Sequence, residues 1–234
     1  MRNLITVFIA TFLILSSLSC NKDEIESIIH GEDLTDIDGN NYQSIIIGTQ
    51  QWMAQNLMTT KYNDGEQIPL INTDTGWRKH RYHAYCWVDD SYNCSLNEKY
   101  GAMYNWFVIK TGKLCPTGWH VPTDDEWEEL ELYIYNEFNE DYGVGTHLKA
   151  KYGWDYDNVI PSGNNYYGFS ALAAGERNND SGKFVNNHKF GRWWSSTKED
   201  SFHSWSRSLS FHSTGMYRGY SNQSSGFSVR CIKD

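Results

Sequence analysis

The chain has 234 residues and a formal net charge of −9, with 29 Asp and Glu against 20 Lys and Arg. An acidic surface repels phosphate backbones and anionic headgroups, which argues against nucleic acid as a partner. Only 39% of the residues are hydrophobic, but 10 Trp, 16 Tyr and 10 Phe each bury a large area, enough for one sizeable core.

Residues 1–19 read as a targeting segment rather than as part of the fold. Arg2 supplies the positive end, Leu4 to Leu15 an apolar run, and Ser16, Ser17, Leu18 and Ser19 lead into Cys20. The run is shorter than the roughly twenty apolar residues a membrane-spanning helix needs. Its removal takes away Arg2 and no acid, leaving a net charge of about −10. Cys20, directly after this segment, resembles the acylated cysteine of bacterial lipoproteins, although Ser17 stands where such signals carry Leu. A plain secretory signal followed by an incidental Cys is the alternative. Lys22, Asp23 and Glu24 resemble the surface-export signal of lipoproteins in the Bacteroidetes-like lineage. Together these resemblances imply an outer-membrane lipoprotein, anchored through Cys20 and exposed at the cell surface.

Residues 20–35 read as a polar tether, and one domain is expected over 36–234. Tyr42–Ile47 and Gln51–Ala54, separated by Gly48-Thr49-Gln50, read as a hairpin. Residues 62–74 read as loop, Tyr82–Val88 as a strand and Asp89–Lys99 as a polar loop. Apolar spacing in Tyr100–Ile109 predicts a helix. Thr123 followed by Glu126 is a capping box. Trp127, Leu130, Ile134 and Phe138 then recur at helical spacing, predicting an amphipathic helix that ends near Asn139. Residues 141–165 read as a long loop. The last third reads as short antiparallel strands, with Trp205, Arg207, Leu209 and Phe211 alternating against Ser206, Ser208 and Ser210. Trp52, Trp119, Trp127 and Trp194 are expected in the core.

Beyond Cys20 there are four cysteines, Cys86, Cys94, Cys115 and Cys231, an even number that suggests two disulfides in an exported chain. The favoured pairing staples Cys86 to Cys94 across a local loop and joins Cys115 to Cys231. The other pairings stay open. A four-thiolate zinc site is the competitor, without a C-x-x-C spacing to support it.

In order, the strings IDGNNY, QWMAQNLMTTKYNDG, AYCW, YGAMYNWF, GKLCPTGWHVPTDDEW, GFSAL, RWWSST and GFSVRCIKD resemble the Fibrobacter succinogenes major paralogous domain, found on bacterial lipoproteins and secreted proteins. VPTDDEW and GFSVRC also resemble segments of the formylglycine-generating enzymes. The resemblance therefore implies an α+β, C-type-lectin-like fold, with two main helices flanking small twisted antiparallel sheets and long loops on one side. It implies little about activity, and fold alone does not carry function.

Candidate chemistry is sparse. The calcium triplets of C-type lectins are missing; Asn178, Asn179 and Asp180 offer oxygen ligands, but before Ser181-Gly182 they read more simply as a turn. His80 and His83 would need a third metal ligand. No Gly-x-Ser-x-Gly elbow or His-Glu-x-x-His is found. The pattern implies neither a cofactor nor catalysis. Loop aromatics that stack on sugar rings are the remaining lead, with Trp77, Trp154, Tyr156, Tyr166 and Tyr167 as the expected contacts to a glycan or surface protein. A divergent formylglycine-type enzyme and a purely structural envelope protein are the alternatives.

Overall fold

The computed structural model describes residues 28–90, 94–139, 143–155 and 163–234. Cys20, the tether before Ile28, and Tyr156 lie outside the described residues. The first sheet begins with a two-stranded ribbon, β1 (Leu34–Thr35) and β2 (Asn41–Tyr42). The expected hairpin follows as β3 (Ser44–Ile47) and β4 (Gln50–Met53), paired Ile45 to Trp52 and Ile47 to Gln50 across the turn at Gly48-Thr49.

Residues 62–74 end in a short helix, α1 (Asp74–Lys79), rather than continuing as loop. Its cap is Thr73, whose hydroxyl accepts from the Gly76 amide. Strand β5 (Tyr85–Trp87) leads through a 3-10 turn to α2 (Cys94–Tyr100), which occupies most of the stretch expected to be polar loop. The predicted helix over Tyr100–Ile109 is not formed. Gly101 ends α2 with φ +73, and a Cβ there would sit 2.8 Å from the Leu57 carbonyl oxygen. Beyond it, β6 (Ala102–Tyr104) pairs with β5, and only α3 (Trp106–Ile109) is helical. Ala102, Met103 and Tyr104 are all buried, so the strand has no polar alternation to separate it from a helix.

After β7 (Trp119–His120) the capping box forms as expected: Thr123 Oγ1 accepts from the Glu126 amide, and Glu126 Oε2 accepts from the Thr123 amide at 2.7 Å. It opens α4 (Asp124–Phe138), which ends at Asn139 in the left-handed region, φ 51. Trp127, Leu130 and Ile134 face the core. The remaining elements are α5 (Val144–Leu148), the ribbon β8 (Glu176–Arg177) with β9 (Phe184–Val185), the sheet β10 (Phe190–Lys198), β11 (His203–Ser210) and β12 (Met216–Asn222), and the terminal β13 (Ile232–Lys233). All strand pairs are antiparallel. The architecture is therefore α+β. Among the described residues it has one long helix instead of two, with the other helices each seven residues or shorter.

Strand β13 lies between β4 and β7, so Ile232 pairs with both Trp52 and His120 and closes a four-stranded sheet. The Trp52 and Trp127 rings meet at 4.7 Å, with Phe169 edge-on to both, and join the sheet to α4. On the other side, Trp194 stacks on Phe227 at 4.3 Å. Trp52, Trp127 and Trp194 are wholly buried, as the sequence suggested, and Trp119 packs partly buried against the cluster that holds Trp194. Strand β11 departs from simple alternation. Ser204, Ser206 and Ser210 are buried along with Arg207 and Leu209, because both faces of the sheet are covered. Arg207 ion-pairs with Asp124 through Nη1 and with Glu131 at 3.1 Å, while Arg218 on β12 reaches the second Asp124 oxygen at 2.7 Å.

One disulfide is present among the described residues, Cys115–Cys231, with the Cα atoms 6.0 Å apart and a sequence separation of 116. A loop that long restricts the unfolded chain by about 4–5 kcal/mol in the loop-entropy account. The expected staple from Cys86 to Cys94 is absent and both remain thiols. Cys86 is held inward on β5, opposite Met103, whereas Cys94 starts α2 on the surface.

The C-terminal residue is latched to the start of α4. His120 Nδ1 lies 2.7 Å from Asp234 Oδ1, and Nε2 lies 2.8 Å from the capping Glu126. Burial acts to lower the imidazole pKa, but the two carboxylate bonds outweigh it and raise it above the usual value. A raised histidine stabilises the fold fully below its unfolded value of about 6.5, and that contribution is lost as pH rises through the folded value. Urea unfolding of His120→Gln should therefore show a deficit against the wild type at about pH 5.5 that shrinks toward about pH 8.5; a constant difference would sink the latch.

Candidate functional site

Among the residues marked out by sequence, few reach solvent together. Trp77 is 2% exposed, and its indole nitrogen donates to the Ser224 carbonyl at 3.0 Å, so it is a core residue and not a contact. It is buried because capping by Thr73 turns the expected loop into α1. Trp154 is half-buried and donates to the Ala171 carbonyl at 3.1 Å. Tyr167 is buried and donates to Glu137 at 2.6 Å. Tyr166 packs edge-on to Phe138, whose ring stacks on His147 at 3.7 Å. These rings brace the end of α4. Tyr166 and Tyr167 also line a cleft of about 100 Å³ beside Ile28.

Asn178, Asn179 and Asp180 form the turn. Asn178 Oδ1 accepts from the amides of Asp180 and Ser181, and Asn179 Nδ2 donates to Asp180. No group of three His, Cys, Asp or Glu is placed to hold a metal among the described residues. His80 Nε2 contacts the His83 carbonyl, and His83 Nδ1 meets the Tyr62 hydroxyl. The aromatics that are exposed lie elsewhere: Tyr82, Tyr152 and Phe202 outside the strands, Tyr133 on α4, and Tyr217 and Tyr220 on β12. There the Arg218 guanidinium covers the Trp205 ring at 3.4 Å, and Tyr220 stands at 84° to it, so the rings form no shared flat platform.

A different site emerges where the first hairpin, the start of α2's exit turn, residues 165–172 and the C-terminal strip converge. It is a half-open pocket of about 200 Å³. Gln43, Gln55, Lys99, Asn165 and Ser170 line it, with Asn56 and Arg230 at its base and Ile28 at its lip. The base is built by hydrogen bonds. Asn56 uses both ends of its amide: Oδ1 accepts from Trp193 Nε1 at 2.9 Å and Arg230 Nε at 3.1 Å, while Nδ2 donates to the Tyr100 carbonyl at 2.9 Å. Arg230 is fully buried. It donates also to the carbonyls of Phe169 and Ser170 and lies 4.2 Å over the Phe169 ring. Burial pushes its pKa down to about 9, still charged at neutral pH.

The wall is held in an uncommon backbone shape. Asn165 and Ser170 both have positive φ, 53 and 54, a conformation costing about 1–2 kcal/mol for residues with a Cβ. Asn165 compensates by bracketing the loop: its Oδ1 accepts from the Ser170 amide at 2.6 Å and its Nδ2 donates to Ser170 Oγ at 2.9 Å. Gln55 Oε1 accepts from the Gln43 amide at 2.9 Å, leaving the Gln55 amide nitrogen without an acceptor among the described residues. The pocket thus offers amides, a hydroxyl, the His30 imidazole and cations on a fixed frame, and no carboxylate or thiol lines it. Such a set of donors and acceptors can recognise polar groups.

Sequence reading missed this site because amides in scattered loops have no spacing signature. The one available signal was Arg230 itself, alternating in phase with Ser228 in a strand otherwise buried. Asn56→Ala would leave the Arg230 and Trp193 donors unpaired in the interior, at about 1–3 kcal/mol each. Denaturant unfolding should show a loss of at least about 2 kcal/mol, and an unchanged midpoint would remove Asn56 from this role.

Neither a curated protein nor a solved structure matches the chain. Residues 45–233 match the Fibrobacter succinogenes major domain, taking in both the first hairpin and the Arg230 strand, and the chain belongs to that family.

Proposed function

We propose that this is a surface-anchored, non-catalytic recognition domain of C-type-lectin-like fold that binds an extracellular saccharide in the Asn165–Ser170–Arg230 pocket. The observation that carries this reading is the pocket's lining of amides on a preorganised frame. Side-chain amides both donate and accept, which suits sugar hydroxyls, and a frame fixed before binding spares the ordering entropy. Family membership and the sheet that unites the hairpin with the last strand support the lectin-like comparison. The Cys115–Cys231 disulfide supports the non-catalytic part, since it occupies the thiol nearest the C-terminus. Among the described residues no helix is long and apolar enough to cross a membrane. Attachment through acylation of Cys20 is supported by the resemblance of the segment before it to a lipoprotein signal.

A glycan array probed with the mature domain should return a restricted set of binders, each weakened by Gln55→Leu, with the domain still folding cooperatively despite the lost bond to the Gln43 amide. Silence across the array would overturn the saccharide reading. In cell fractionation, Cys20→Ala should move the full chain from membranes to the soluble fraction; retention on membranes would refute the lipid anchor.

A further inference from the structure

We infer that the pocket selects a carboxylate-bearing sugar, a uronic acid residue, and rejects its neutral counterpart. This rests on the saccharide reading and adds the charge of the ligand to it. Arg177, Arg207 and Arg230 are all wholly buried. Arg177 has Asp74 at 3.5 Å, and Arg207 has Asp124 and Glu131. Arg230 has only neutral acceptors, Asn56 and two backbone carbonyls, and no carboxylate lies within ion-pair distance among the described residues. Its ring contacts with Phe169 and Trp193 soften the charge without cancelling it.

A buried charge without a counter-ion is one of the more expensive things a fold can hold, and its field is poorly screened by the surrounding protein. The nearest space into which that field extends is the pocket above it. Lys99 adds a second cation at the rim, and none of the lining residues is acidic. In a chain of net charge −9, this is a local reversal of sign. An anion entering the pocket would supply the counter-charge that Arg230 lacks.

Two features choose a carboxylate over a phosphate. Phosphate sites are typically cradles of converging backbone N–H groups, whereas here the two loop amides facing the wall are already used. Gly168 N donates to the Asn165 carbonyl at 3.1 Å, and Ser170 N donates to Asn165 Oδ1 at 2.6 Å. The remaining donors, Lys99 and the side-chain amides, suit one negative charge flanked by hydroxyls. A volume of about 200 Å³ suits a single residue of a saccharide chain.

The test is titration calorimetry of the mature domain with oligogalacturonate and oligoglucuronate, against the same oligomers with their carboxyl groups reduced to alcohols, and against inorganic phosphate. Uronate binding that falls at least about tenfold on carboxyl reduction, and that weakens with added salt, is the expected result. Lys99→Glu, on the exposed rim, should weaken uronate binding by about tenfold or more with an unchanged melting temperature. Arg230→Met should abolish it; where that variant does not fold, Lys99→Glu carries the test. Equal binding of reduced and acidic oligomers, competition by phosphate at equal concentration, or indifference to Lys99→Glu would overturn the carboxylate assignment while leaving a saccharide site in place. No binding of any saccharide, acidic or neutral, would remove both.

Discussion

The molecule depends on one strip of chain, residues 226–234, and on the hydrogen bonds it makes to everything around it. Gly226 exchanges both backbone bonds with Arg177, and Phe227 does the same with Tyr104. Ser228 bonds the Arg192 and Trp194 backbones of β10, Val229 accepts from Leu57, and Cys231 accepts from Met53. Ile232 then pairs with β4 and β7, and Asp234 donates to Gly118. The short sheets are too small to be stable as independent units. Threaded on a common strip, they become one cooperative body, with the disulfide at Cys231 closing it covalently.

Charge placement follows the same economy. Asp124 stands at the first position of α4, where the helix dipole favours an acid, and it simultaneously receives Arg207 and Arg218. Burial acts against its ionisation, but the arginine bonds prevail and hold its carboxyl below the usual range. The helix is thereby fixed to β11 and β12 by polar contacts and to β4 by Trp127 and Trp52. Elsewhere Lys149 is buried, with the Ser210 and Ser213 carbonyls as its acceptors among the described residues, and burial lowers its pKa to about 8. These bonds tie the end of α5 to the end of β11.

What could be read from the sequence was what is local. The capping box at Thr123 and Glu126, the hairpin around Gly48, and the period of α4 are decided within a few residues, and they form as expected. Tyr100–Ile109 misled because a strand buried on both faces lacks the alternation that identifies strands. Trp77 misled because a tryptophan in a polar stretch looks exposed until a tertiary partner, here Ser224 at a distance of 147 residues, claims its indole. Cys86 and Cys94 misled because closeness in sequence says nothing of direction, and β5 points one inward while α2 holds the other at the surface. The pocket was the least legible feature. Its residues come from five separate segments, and its defining property, an arginine lacking an acid, exists only once the neighbours are known.

Ile28 sets a distance that matters for how such a domain would work. It is the first described residue, and it forms the lip of the pocket, where a Cβ on Gly168 would strike its side chain at 2.8 Å. It stands eight positions after Cys20. Fully extended, that length spans at most about 29 Å. With an acyl chain on Cys20, the mouth of the pocket would be leashed close to the bilayer, so the domain would sample polymers lying against its own cell rather than reach outward for distant ones. Lengthening the leash would change which ligands are met without altering a single contact in the pocket.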